Sequence, residues 1–147
     1  MGDRTTVFIR FSGMCSAKDA KQLIECLEED YVAYSHPEYT QDLKIEHLVD
    51  VFELDEVNYA SPDTLTNLAK EIGVSYAMWW HSGSGYTAGI QIYFAVPGET
   101  IECGSSEAGE ATISASGLEK FDALEDAVKW LKLFDATEET LPQLKII

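Results

Sequence analysis

Residues 76–94, YAMWWHSGSGYTAGIQIYF, decide the fold because they hold two strand-like runs joined by a glycine and serine turn. Aromatic and β-branched residues are typical of strands, and SGSG at 82–85 is typical of the turn of a hairpin. A symmetric hairpin pairs Trp79 with Ala88 and Ala77 with Ile90. The segment therefore predicts an antiparallel pair of strands.

Alternation along this hairpin divides its side chains between two faces. The first face, the natural core, receives Ala77, Trp79, Ile90, Ile92 and Phe94. The second face receives Tyr76, Met78, Trp80, Gln91 and Tyr93. In a domain of two layers the second face is turned to solvent, and an exposed aromatic patch indicates a partner or a homodimer contact. A helix or segment 43–57 packed over this face, and a small-molecule pocket on it, are the alternatives.

The rest of the chain surrounds the hairpin with helices and further strands. TTVFIRF (5–11), TIECG (100–104) and EATISAS (110–116) alternate as strands do. One predicted helix runs from a Ser16 cap to about Tyr31, another spans 61–73, and a last one spans 121–134. This order predicts a single α+β domain over residues 1–147, with a mostly antiparallel sheet and three to four helices mainly on one face.

Segment 43–57, LKIEHLVDVFELDEV, fits two structures. Ile45, Leu48, Val49 and Phe52 form a helical stripe, while the β-branched residues also suit a strand. We favour a helix over the strand. In that helix one solvent face carries a row of carboxylates, namely Asp42, Glu46, Asp50 and Glu53.

The charge of the chain is far from balanced. The formal net charge is −16, from 26 acidic and 10 basic residues, and Lys44 alone opposes twelve acidic residues between 22 and 69. Solubility needs a net charge of only about 2–8. We therefore predict a basic partner, and one that binds nucleic acid fits best, because nucleic acid itself is repelled by such a surface. Acidity that serves solubility, or adaptation of the host to salt, is the alternative explanation.

A short chain with the acidic runs ECLEED and VDVFELDEV resembles the phage-encoded anti-defence inhibitors, the anti-CRISPR and antirestriction proteins, some of which mimic DNA. It is equally similar to the immunity proteins that neutralise nuclease toxins. The resemblance covers overall charge and size, and it carries over no functional residue. It implies a non-enzymatic inhibitor of a nuclease or a CRISPR effector. We expect the partner to contact Asp42, Glu46, Asp50, Glu53, Asp55 and Glu56 together with Tyr76, Met78, Trp80 and Tyr93.

Catalytic and metal-binding motifs are weak. Cys15 follows a glycine turn at the start of a helix, where a thiol is sometimes activated, but a small buried residue is the simpler interpretation. Glu99 and Glu102 are the other catalytic alternative. The histidines show no ligand spacing, and they are His36, His47 and His81. We expect no enzyme activity, no cofactor and no metal, with a module that binds a small molecule or nucleotide at the face of Trp80 and Tyr93 as the alternative function.

The chain also lacks membrane signals. No apolar run approaches the roughly 20 residues that span a bilayer, and MGDRTTVFIRF at 1–11 lacks the apolar core of a signal peptide. We therefore expect a cytoplasmic protein that contacts no membrane.

Overall fold

The structure is a computed structural model that describes residues 4–35, 43–58, 61–82, 87–106, 109–135 and 141–147. Its strands in chain order are β1 (Arg4–Ser12), β2 (Met14–Cys15), β3 (Val32–Ser35), β4 (Val51–Asn58), β5 (Ser75–Trp80), β6 (Gly89–Phe94), β7 (Glu99–Ser105), β8 (Ala111–Thr112) and β9 (Lys145–Ile146). Seven of them form an antiparallel sheet in the order β3-β4-β1-β5-β6-β7-β8. The short strands β2 and β9 form a separate parallel pair.

The helices cover the two faces of this sheet unequally. They are α1 (Ala17–Asp30), α2 (Asp63–Ile72), α3 (Ala115–Leu118) and α4 (Leu124–Lys132), with 3-10 helices at Ile45–Val49 and Leu133–Asp135. The face that carries Val7, Ile9 and Phe11 packs against α1, α2 and the first 3-10 helix, and we call it the helical face. The opposite face packs against Phe134 and Leu141, and we call it the C-terminal face. The predicted α+β fold with a mostly antiparallel sheet is confirmed.

The first strand and helix form as their sequence predicts. Val7, Ile9 and Phe11 alternate in β1 and are completely buried, because every second residue of a strand points to the same side. Ser16 then caps α1 by accepting a hydrogen bond from the backbone N–H of Asp19 at 3.1 Å. These two elements supply the centre of the helical-face core.

The second helix is bounded by proline and glycine. Pro62 stands immediately before α2, and Gly73 ends it in the left-handed conformation with φ of 80°, which glycine adopts without steric cost. Leu65 and Ala69 of α2 are completely buried against the helical face. The helix thus covers β5 and β6, the two strands that follow it in the chain.

The helix favoured for segment 43–57 is wrong over most of its length. Only Ile45–Val49 is helical, as a 3-10 turn, and the chain then enters β4. In β4, Phe52 pairs with Ile9 and Leu54 pairs with Val7, and both are completely buried. The alternative strand prediction succeeds because alternation lets these residues fill the core between β1 and β3, which a local helical stripe does not reveal.

The hairpin keeps the predicted division of faces but not the predicted exposure. Trp79 pairs with Ile90, two residues further along than expected, so each side chain stays on its predicted face. The second face is not open to solvent, because α2 covers it. Tyr76, Met78 and Tyr93 are exposed by only 0%, 3% and 9%, and Trp80 is half-buried. Coverage by a helix, which was the alternative, is therefore correct.

Residues 141–147 fasten the C-terminal face to the start of the chain. The Ser12 hydroxyl donates to the Pro142 carbonyl at 2.6 Å, and the Arg10 guanidinium donates to the Leu141 carbonyl at 3.0 Å. The backbone N–H of Lys145 donates to the Gly13 carbonyl at 2.8 Å. Both faces of the central strands are consequently buried. In the part of the chain that is described, no helix is both long and apolar enough to cross a membrane.

Candidate binding surfaces

The last turn of α1 gathers carboxylates where a helix least favours them. Glu28, Glu29 and Asp30 are exposed there, and the turn, which is described in full, contains no basic residue. Lys18 and Lys21 lie instead near the N-terminal end of the helix. Because the C-terminal end of a helix carries a partial negative charge, acidic residues destabilise the helix there. Lysines near the N-terminal end, where the partial charge is positive, do not offset this destabilisation.

The 3-10 helix extends this acidic surface. A Glu28 carboxylate oxygen accepts a hydrogen bond from the backbone N–H of Leu43 at 3.2 Å, which ties the end of α1 to the residues before the 3-10 helix. Glu46 is exposed on that helix, and its neighbour Leu48 is completely buried beneath it. We call the surface formed by Glu25, Glu28, Glu29, Asp30 and Glu46 the acidic end.

The predicted row of carboxylates is divided by the fold. Of its described members, Glu46 lies on the 3-10 helix and Asp50 is half-buried immediately before β4. In β4, Glu53 and Asp55 alternate with the buried Leu54 and therefore point to the C-terminal face. Asp55 accepts a hydrogen bond from the Thr6 hydroxyl at 3.2 Å. Asp42 lies outside the described residues, and only the backbone of Glu56 is described. A single helical stripe does not form.

The aromatic residues predicted to bind a partner are part of the packing under α2. Tyr76 and Tyr93 stack with their ring centroids 5.8 Å apart, and the Lys70 ammonium lies 5.5 Å from the Tyr93 centroid. The Tyr76 hydroxyl donates to Gln91, and burial raises the pKa of Tyr76 to about 12. This cluster is a satisfied core, and the partner role predicted for Tyr76, Met78 and Tyr93 is corrected accordingly.

Trp80 occupies the end of the same face in a fixed position. Its indole N–H donates to the Thr87 carbonyl at 3.0 Å, and its ring lies over the backbone of Gly89. The half-buried ring is therefore held by Thr87 and Gly89, and Tyr93 on the same face is buried, so this face is less open than the sequence predicts.

A pocket lies at the end of the hairpin on the C-terminal face. Its volume is about 190 Å³, and its lining residues are Trp79, Trp80, His81, Ile90, Ser105, Ser106, Gly109 and Phe134. We call it the tryptophan pocket. A wider groove of about 480 Å³ adjoins it at Gly109 and Phe134 and is also lined by Val128, Leu131 and Lys132. The sequence did not predict that Ser105, Ser106 and Phe134 line a pocket, because in the chain they lie 15 or more positions after Ile90. The run of Trp79, Trp80 and His81 was the one local signal of this pocket.

The catalytic alternatives lose support from their surroundings. Cys15 is buried, and burial together with the Asp19 carboxylate raises the pKa of its thiol, the opposite of activation. Burial also raises the pKa of the Cys103 thiol. Glu99 and Glu102 stand an odd number of residues apart in β7 and so point to opposite faces of the sheet. They cannot act as a pair on one substrate atom.

Within the described ranges, no group of three or more His, Cys, Asp or Glu residues could hold a metal ion. Comparisons of the chain with protein-family models, with curated proteins and with solved structures gave no significant match.

Proposed function

We propose that this protein is a non-enzymatic inhibitor that binds a basic nucleic-acid-binding protein, such as a nuclease or a CRISPR effector, through its acidic end. One observation carries the proposal: α1 places exposed carboxylates at its C-terminal end and lysines toward its N-terminal end. This arrangement opposes the helix dipole and weakens the fold. Residues whose charge opposes the helix dipole without a gain in stability are expected at a functional surface.

Charge complementarity indicates the class of partner. Within α1, Glu25 precedes Glu28 by three positions and Glu29 by four, which brings its Cβ atom to about 5–6 Å from the Cβ atom of each. A close row of negative charge fits a groove of Lys and Arg side chains, and such grooves belong to proteins that bind phosphates. The carboxylates then take the place of phosphates, and the net charge of −16 increases the rate of encounter.

The proposed surface differs from the one expected from the sequence. It keeps Glu46 and adds the end of α1, while Glu53 and Asp55 belong to the opposite face of the sheet. Solubility alone does not account for it, because a small domain is soluble with a net charge of about 2–8 and the same carboxylates at the start of a helix stabilise it.

A charge-reversal experiment tests the proposal. Glu25→Lys, Glu29→Lys and Glu46→Lys together change the local charge by +6 and leave the Glu28 contact with Leu43 intact. The matched control changes Glu71, Glu99 and Glu119 to Lys, which are exposed residues outside the acidic end. We expect the parent and the control to retain a basic protein from a host lysate at about 0.05 M salt, and the triple variant to lose it.

Two further measurements test whether the interaction is electrostatic and whether the partner uses its nucleic-acid groove. Duplex DNA added to the captured complex should release the protein, because both compete for one basic groove. At 1 M salt, where the Debye length is about 3 Å, the parent should also retain less. Equal retention by the parent and the triple variant would exclude the acidic end, and retention that DNA does not reduce would exclude the nucleic-acid groove.

A further inference from the structure

Two aromatic residues that line the tryptophan pocket each pack against a second aromatic ring. Trp79 stacks on Phe8 with ring centroids 5.8 Å apart and planes 13° apart. Phe134 meets Trp130 edge to face at 4.9 Å. Because Trp79 and Phe134 are each packed against a second ring, these two walls are preformed, which lowers the entropy lost when a ligand binds.

The charge around the pocket selects a class of ligand. No Lys or Arg occurs among its described lining residues, and the sequence contains none from Glu71 to Glu119. Lys132 lines the adjoining groove, but Glu110 and Asp135 line it as well. An anionic group such as a phosphate thus meets no Lys or Arg side chain in the pocket, whose one basic lining residue is His81, whereas a cation is attracted by the net charge and by aromatic rings.

The hydrogen-bonding groups narrow the class further. The Ser106 hydroxyl already accepts the backbone N–H of Glu110 at 3.2 Å, and Ile90 and Phe134 offer no polar atoms. Ser105 and His81 are the other lining side chains that can accept a hydrogen bond. A primary ammonium or a guanidinium would bring several N–H groups into a site with few acceptors, and each unsatisfied group is costly. A quaternary ammonium has no N–H groups to satisfy and binds through its charge and its methyl surface.

We propose that the tryptophan pocket binds a small quaternary ammonium ion. Its volume of about 190 Å³ is similar to the cavity of about 150 Å³ that holds benzene in another protein, so a trimethylammonium group fits. The pocket lies on the C-terminal face and the acidic end on the helical side of the sheet, and this inference does not rest on the proposed inhibitor function.

Titration with choline chloride tests the proposal at constant ionic strength. The three tryptophans give three indole N–H signals in a two-dimensional NMR spectrum, and Trp79→Phe assigns one of them by its loss. We expect choline and tetramethylammonium to shift the Trp79 signal saturably and the Trp130 signal less. The neutral analogue 3,3-dimethyl-1-butanol has the shape of choline without its charge, and we expect it to bind about tenfold more weakly.

A pair of lysine variants provides a second test that spares the aromatic packing. Ser105→Lys places an ammonium at the pocket, and Thr100→Lys places one on the same strand but on the opposite face. We expect the first to weaken choline binding at least tenfold and the second to leave it within about twofold, with unchanged circular dichroism for both. No saturable shift in the parent, equal binding of the neutral analogue, or an equal loss in both variants would overturn the proposal.

Discussion

The indole of Trp80 lies so close to Gly89 that a Cβ atom added to the glycine would stand 2.6 Å from Cζ2 of the ring. The two residues are also paired across β5 and β6. Glycine is therefore required at position 89 by close approach of a side chain, and the Trp80 position in turn depends on it. This contact orders the end of the hairpin beside the tryptophan pocket.

We predict that Gly89→Ala lowers the free energy of unfolding by about 1–3 kcal/mol, the usual cost of overpacking. In a Trp80→Ala background the same change should cost less, because the ring that clashes is absent. Urea unfolding of the four proteins in this cycle measures the coupling. Equal costs in both backgrounds would contradict the contact and assign the effect to the Cys103 carbonyl, which lies 3.1 Å from the same added atom.

Charge reversal at the end of α1 should stabilise the fold. Glu29→Lys exchanges a carboxylate for an ammonium at the negative end of the helix, so we expect a gain of about 0.3–1 kcal/mol that shrinks at high salt. Glu125→Lys is the matched control, because Glu125 is an exposed residue in the first turn of α4, where an acidic residue is favourable and its replacement should destabilise. Urea unfolding at low and high salt provides the measurement. A loss of stability in Glu29→Lys would remove the main reason for regarding the acidic end as functional.

Tyr76 should make stability depend on pH in the alkaline range. Burial raises its pKa to about 12, above the value of about 10 in an unfolded chain. The unfolded state loses the proton first, so the stabilising contribution is complete below pH 10 and is lost as the pH rises toward 12. Tyr76→Phe should flatten the decline in unfolding free energy between pH 10 and 12. Since all other titrating groups are shared, the difference between the two curves isolates Tyr76.

The same variant has a second expected effect at neutral pH. Tyr76→Phe removes the hydroxyl that donates to Gln91, whose amide N–H donates in turn to Glu102 at 3.0 Å. Leaving the Gln91 carbonyl without this donor should cost about 1–2 kcal/mol at pH 7. An unchanged midpoint of urea unfolding at pH 7 would show that water replaces the hydroxyl.

The cysteines should resist alkylation in the folded protein. Burial raises the pKa of Cys15 and Cys103, and burial with the neighbouring Asp30 raises the pKa of Cys26 to about 12. The reactive thiolate is therefore scarce at pH 7. Mass spectrometry after treatment with iodoacetamide should find little adduct on the native protein and three adducts in urea. Rapid labelling of Cys15 in the native state would revive the catalytic alternative.

The sequence predicted the helices and strands more accurately than it predicted which other elements pack against them. The cap at Ser16, the left-handed Gly73 and the two faces of the hairpin all follow from local chemistry and alternation. The register of the hairpin was displaced by two residues, since alternation assigns faces but turn geometry sets pairing. The exposure of Tyr76 was mispredicted because alternation does not say which faces other elements will cover.

The candidate surfaces needed the tertiary structure. Segment 43–57 satisfied both a helical and a strand pattern, and pairing of Phe52 with Ile9 in the sheet decided between them. The tryptophan pocket joins Trp79 to Phe134, which are far apart in the chain and share no motif. The α1 part of the acidic end, in contrast, was visible as ECLEED at 25–30, but its conflict with the helix dipole became evident only when the end of α1 was known.

The hydrogen bond between Ser12 and Pro142 joins residues 130 positions apart, so it can form only after nearly the whole chain has been synthesised. At about 5–20 residues per second, a ribosome takes roughly 7–26 s to travel from one partner to the other. In the later part of that interval β1 and the hairpin have been made, whereas Leu141, which belongs to the same apolar cluster as Ala77 and Ile92, has not. The C-terminal face of the sheet therefore gains the part of its apolar cover that Leu141 supplies only at the end of synthesis.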